Sequence, residues 1–148
     1  MPDDGKLYEQ DFYAWGYDQA KAIRAAHAAF SDSGTNDLRA SLSELDWENL
    51  AEEIEALSRK DRRELRERIA TVIEHLIKLQ FSPAEAPRAG WEETIVRSRE
   101  AIAAILDDSP SLRQTLRGLI TQATGSARRI ARTACIFMTK PRPLSPLD

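Results

Sequence analysis

Cysteine occurs once, as Cys135, in this chain of 148 residues, which excludes an internal disulfide and any Cys-x-x-Cys metal or redox pair. Histidine is almost as scarce, with two residues, His27 and His75. Bundles that hold two metals need Glu-x-x-His pairs one helical turn apart, and here Arg24 stands three before His27 and Val72 three before His75, so that site is excluded too. The His-Glu-x-x-His, Walker, Gly-x-Ser-x-Gly and Rossmann glycine patterns are all missing, and with them the chemistries those spacings serve. No apolar run reaches the roughly eighteen residues a membrane-spanning helix needs. The first ten residues, MPDDGKLYEQ, are acidic where a secretory signal would be basic and then apolar. The expectation is a cytoplasmic protein with no membrane partner and no bound cofactor. The last missing feature is local: from Ser109 to Leu147 there is no acid.

What is present is an ordinary globular mixture, 42% hydrophobic and 30% charged, enough for one domain with a real core. The net charge of −3 hides an asymmetry. Residues 1–87 carry eleven basic and eighteen acidic side chains, and residues 88–148 carry ten and six. A basic last helix lying beside an acidic second one accounts for this, and a phosphate-binding face formed by Arg128, Arg129 and Arg132 is the sharper alternative.

The apolar residues recur at helical spacing throughout, so the fold expected is all-α: a four-helix bundle-like single domain with a core over about 8–137 and an extended tail over 138–148. Helices are expected near 9–30, 46–80, 91–106 and 110–137. The second is the longest. Asp46 caps it, and Trp47, Leu50, Ile54 and Leu57, then Leu65, Ile69, Val72, Ile73, Leu76 and Gln80, form its inward stripe. Between Ser58 and Glu64 the stripe passes through Asp61, so a continuous helix with a solvated middle or a bend is expected there. Trp15, Trp47, Leu76, Trp91 and Leu116 should lie in or against the core. Gly16, inside the first helix, should cost roughly 1 kcal/mol unless it admits a close neighbour. Ser31–Ser43 reads as a loop, and Pro83 and Pro87 end the second helix. Ser109-Pro110 is a helix start with Ser as the cap. Helix four has small residues between Ala123 and Ala131, which suit a closely packed neighbour.

Five blocks run in order through the chain: Tyr8-x-x-Asp11-Phe12-Tyr13-x-Trp15, Leu45-Asp46-x-x-Asn49-Leu50-x-Glu52-Glu53-Ile54-Glu55-x-Leu57, His75-Leu76-x-Lys78, Trp91-x-x-Thr94-Ile95 and Ser109-Pro110-Ser111-Leu112. On these, over roughly residues 8–112, the chain resembles the bacterial family called domain of unknown function 29. The resemblance implies a compact helical bundle and no established activity. Ser58 stands where that family commonly has Gly, and the tail after Cys135 departs from its usual ending.

The resemblance also draws attention to polar residues that packing does not demand: Asp11, Asp46, Asn49, Glu52, Glu53, Glu55 and His75. At 100° per residue Glu53 and His75 flank one side of the long stripe, and Glu52 and Glu55 the other. Caps and ion pairs account for most of them. The candidates for chemistry are His75 and Glu53, as an acid–base pair or, with a third group, a mononuclear metal site. Those for binding are Asp11, Asn49, Glu52, Arg128, Arg129 and Arg132. The function expected is a protein-interaction or oligomerisation module, as a homodimer or with a protein partner. The alternatives are a nucleic-acid binder using the basic helix 110–137 and an enzyme centred on His75.

Overall fold

Asp11 interrupts what hydrophobic spacing alone would make one N-terminal helix. In the computed structural model, which describes residues 4–33, 42–43 and 45–133, α1 spans Asp4–Gln10 and α2 spans Phe12–Ser33. The Asp11 carboxylate accepts the Ala14 N–H at 2.9 Å, the standard bond from a capping residue to the third helical N–H, so a new helix begins there. α3 runs unbroken over Trp47–Phe81 and α4 over Arg88–Asp108. A 3-10 helix, Pro110–Thr115, then leads into α5, Leu116–Thr133. The fold class is all-α, and the described residues include no strand. Five α-helices are described where four were expected, because the first divides at Asp11; the last also starts at Leu116 rather than 110, after a tighter turn. Expectations for Cys135 and for the tail 138–148 fall outside the described residues.

The chain groups into two compact units, one of residues 1–62 with 107–111, the other of 63–106 with 112–148. In the first unit the buried residues are small: Gly16 and Ala20 on α2, Ala51 and Ser58 on α3, and Ser109. A Cβ placed on Gly16 would lie 1.9 Å from Ser58 Oγ, 3.2 Å from Ser58 Cβ and 3.4 Å from the Ile54 carbonyl. The glycine therefore does admit a close neighbour, and α2 and α3 cross almost backbone to backbone. That crossing corrects the inward stripe expected for this part of α3. Leu50 and Leu57 are 45% and 51% exposed, because the helix turns the face of Ala51 and Ser58, one residue further round, toward α2. Large side chains there would hold the helices apart. Ser58 is fully buried, so the middle of the helix is not solvated at that residue.

The second unit has a core of the familiar kind. Leu65, Ile69 and Leu79 of α3, Ile95 and Leu106 of α4, Leu112, and Leu119, Ala123 and Ala127 of α5 are all buried. Ala123 and Ala127 fulfil the expectation of a small, closely packed stretch on the last helix. Leu76, Trp91 and Leu116 are only half-buried, as are Trp15 and Trp47 of the first unit. In α3 the deep position passes to Leu79, one turn beyond Leu76. The joint between α3 and α4 is closed by Arg88, whose Nη2 donates to the Leu79 carbonyl at 2.9 Å, satisfying one of the carbonyls a helix end leaves open.

Candidate functional site

The polar residues divide into those the fold uses and those it leaves free. Asp11 belongs to the first group. Besides Ala14, its carboxylate accepts the Ser111 N–H at 2.6 Å and the Ser111 hydroxyl at 2.9 Å. Ser109 Oγ in turn accepts the Tyr13 N–H at 3.2 Å and donates to Asp61 at 3.2 Å. Ser109 precedes the 3-10 helix and Asp11 precedes α2, so each capping residue serves the other's helix as well as, in the case of Asp11, its own. The expected Ser109 cap is thus spent on α2. Four N-terminal or near-terminal donors, all part-buried, are satisfied by two side chains. Beside this junction the Tyr13 phenol titrates above its usual value, first because it is partly buried and then through its hydrogen bond with Tyr17, with Arg62 opposing.

Asp46 caps α3 as expected, accepting the Asn49 N–H at 3.1 Å, and Asn49 returns its side-chain amide to the same carboxylate at 2.6 Å. Glu52 meets Arg59 at 2.6 Å and Arg24 at 3.8 Å. Glu55 pairs with Arg24 and with Arg59, and Glu48 with Arg24 at 3.1 Å. Arg24 is held more firmly protonated by Glu55 and then Glu48. Asp11, Asn49 and Glu52 are therefore engaged in caps and an exposed ion-pair ladder. Glu53 is exposed.

His75 is half-buried on α3, with Nδ1 2.9 Å from the Thr71 carbonyl. A carbonyl only accepts, so in the neutral ring Nδ1 carries the proton and Nε2 keeps its lone pair. Glu53 lies in the first unit and His75 in the second. Among the described residues no group of three or more His, Cys, Asp or Glu could hold a metal ion. The other histidine, His27, stacks on Trp47 with ring centroids 5.8 Å apart and planes at 5°.

The second unit also carries a groove that the sequence reading missed. Ile73, Leu76, Ile77, Gln80 and Phe81 of α3 form one wall, Thr124 and Arg128 of α5 the other, around a volume of about 630 Å³ that opens to solvent. The signal for it lies in the width of the apolar face. Ile69, Val72, Ile73, Leu76, Ile77, Leu79 and Phe81 sweep an arc of about 200° at 100° per residue, against the ≳ 100° stripe a core-facing helix typically shows. One part of the arc faces Leu79's core and the surplus faces the groove. Thr124 Oγ1 is tied to the Ile120 carbonyl at 2.8 Å, whereas Arg128 is exposed and has no acid partner among the described residues. Arg129 bonds Ser126 Oγ at 3.0 Å, and the Arg132 side chain is outside the described residues. No described helix is long and apolar enough to cross a membrane.

The family model for the domain of unknown function DUF29 matches residues 7–141, and the chain belongs to that family. Among solved structures it is similar to an α-helical protein of unknown function from Rhodospirillum rubrum ATCC 11170, with 24% identity and a TM-score of 0.63, covering 95% of this chain and 81% of that one. That likeness speaks for the helical fold alone. No curated protein matches the chain.

Proposed function

We propose that this member of the DUF29 family is a helical protein-interaction module whose docking surface is the groove between α3 and α5. The observation that carries the reading is the groove's composition: Ile73, Leu76, Ile77 and Phe81 along one wall, with Arg128 at its edge. Keeping four large apolar side chains beside a groove that opens to water forgoes part of the roughly 1.5–3 kcal/mol that each would contribute if fully buried. Contiguous apolar surface rimmed by polar groups marks a place that is covered in the working state. The partner is a second protein or another copy of the chain, acting in the cytoplasm.

A photo-crosslinking residue at Gln80, in the groove, compared with one at Glu92, exposed on α4, tests this reading. A discrete adduct from position 80, absent from position 92 and lost on Leu76→Asp, is expected. No adduct above the position-92 background, with a monomer by light scattering at every concentration, would sink it.

A second reading is favoured by a separate observation. The acid-free stretch 109–147 leaves Arg117 as well as Arg128 without acid partners among the described residues, which suits a phosphate backbone. Binding to DNA or RNA through these groups must fall steeply with salt, and the fall must flatten when Arg128, Arg129 and Arg132 are all replaced. Salt-independent binding would eliminate it.

A further inference from the structure

We propose that the partner of the α3–α5 groove is a single amphipathic helix carrying acidic residues along the edge that meets Arg128. This rests on the interaction-module reading and adds the chemistry of the partner. The wall residues 73, 76, 77, 80 and 81 follow the three- and four-residue steps of one helix face. They extend over eight residue steps, about 12 Å at 1.5 Å per residue. A partner helix that anchors through positions i, i+3 or i+4, and i+7 spans about 10.5 Å, so two turns of helix fill the length of the trough.

The backbone decides between a helix and an extended peptide. Both walls are α-helices, whose N–H groups, and whose C=O groups up to the last turn of α3, are already bonded along their own axes. The groove has no sheet edge to pair with an extended strand, and a strand laid there would lose the water on its own backbone without replacement. A helix arrives with those groups satisfied and offers only side chains.

Charge fixes the rest. Arg128 is exposed and has no acid partner among the described residues, and Arg117 on the same helix is alike in this. From Ser109 to Leu147 the chain holds no acid to soften their field. A lysine-bearing helix is repelled along this edge, and a glutamate-bearing one gains a charge-assisted hydrogen bond. Of the two uncharged polar residues of the trough, Thr124 bonds the Ile120 carbonyl, and Gln80 accepts from or donates to either partner helix.

The test uses the full chain and two labelled synthetic peptides of equal helicity. Both carry Leu at i, i+3 and i+7; one has Glu along the flanks and the other has Lys at the same positions. Fluorescence anisotropy is expected to show saturable binding of the Glu peptide, about tenfold or more tighter than the Lys peptide, the size of one good charge pair. Arg128→Glu should reverse that order with an unchanged melting curve, since the exposed Arg128 side chain has no acid partner among the described residues, and Leu76→Asp should weaken both peptides. Three results would overturn the proposal: neither peptide binds the wild-type chain; both bind equally and Arg128→Glu leaves the ratio unchanged; or light scattering shows a dimer that Leu76→Asp dissociates, which makes a second copy the occupant. Saturable binding of decanoate with no binding of either peptide would likewise replace the helix by a small amphipathic acid. Failure of the peptides while the position-80 crosslink persists removes the acidic helix and leaves the interaction module standing.

Discussion

The two units of this chain solve the problem of burial in opposite ways. In the second, Leu65, Ile69, Leu79, Ile95, Leu106, Leu112 and Leu119 fill an interior in the usual manner. In the first, the buried positions among the described residues are Gly16, Ala20, Ala51, Ser58 and Ser109, joined by close backbone approach, exchanged helix caps, an ion-pair ladder and half-buried packed rings such as Phe12 with Trp15. The difference teaches that the two should fail differently. A core of large side chains is weakened by emptying it, and a crossing of small ones by crowding it.

Emptying should have the largest effect. Leu65 and Ile95 are fully buried, and Leu65→Ala or Ile95→Ala should cost about 2–5 kcal/mol in denaturant titration. In the first unit the same experiment has little to remove: Leu57→Ala, at an exposed position, should change stability by no more than about 0.5 kcal/mol. Equal losses at Leu57 and Leu65 would erase the distinction between the units.

The exchanged caps come next. Asp11→Ala removes acceptors from Ala14 and Ser111 together, and one lost cap typically costs about 0.5–2 kcal/mol, so a loss near 2 kcal/mol is expected. Ser109→Ala should cost about 1 kcal/mol by the same reasoning. Because the two residues hold one junction, the double mutant should lose less than the sum. Strict additivity would show that the caps act separately.

How far the sequence foretold this contrast depends on whether the deciding interaction was local. The Asp46 cap was legible because donor and acceptor are three residues apart, as were the all-α fold and the small stretch around Ala123, whereas spacing left open whether α3 bends near Ser58. The partners of Asp11 and Ser109 were not, since the bonds span 96 and 100 positions and spacing gives no hint of them. Yet Asp11, Ser109 and Ser111 fall within the quoted family-like blocks, and all three take part in the bonds of this junction. Leu50 and Leu57 were misplaced for a related reason. Hydrophobic periodicity assigns the inward face to the largest apolar residues, but the face that α2 can approach most closely is the one with Ala51 and Ser58. The groove was written in the excess width of the apolar arc from Ile69 to Phe81, a quantity that a search for one stripe ignores. His75 has Nδ1 fixed by Thr71 and, among the described residues, no acid bonded to it.

Crowding is the third probe. Gly16→Ala gains helix propensity but sets a methyl 3.2 Å from Ser58 Cβ and 3.4 Å from the Ile54 carbonyl. Rotation of the Ser58 hydroxyl relieves only its own overlap, so a net loss of about 1–2 kcal/mol is expected. Ser58→Gly in the same chain should recover part of it, with a coupling of at least about 0.5 kcal/mol. A Gly16→Ala variant as stable as the parent would mean that the helices separate at no cost and that close approach does not hold the first unit together.

The smallest effect concerns pH and again separates the units. The Tyr13 phenol titrates above 10.0 in the folded chain, chiefly through burial and then through Tyr17. A raised folded-state value means that the folded chain keeps its proton where the unfolded chain has begun to release it. Stability from this group is therefore fully present below the ordinary tyrosine value of about 10 and is lost as pH rises through the folded value. Tyr13 is partly exposed, so solvent screening keeps the loss small. Melting curves between about pH 9 and 11 should fall less steeply for Tyr13→Phe than for the parent. Ultraviolet difference titration should at the same time lose the contribution of one phenol. If the variant and the parent lose stability in parallel, the Tyr13 environment at the α2 start is as wet in the folded chain as in the unfolded one. The first unit would then rest on its caps and its close crossing without help from a desolvated ring.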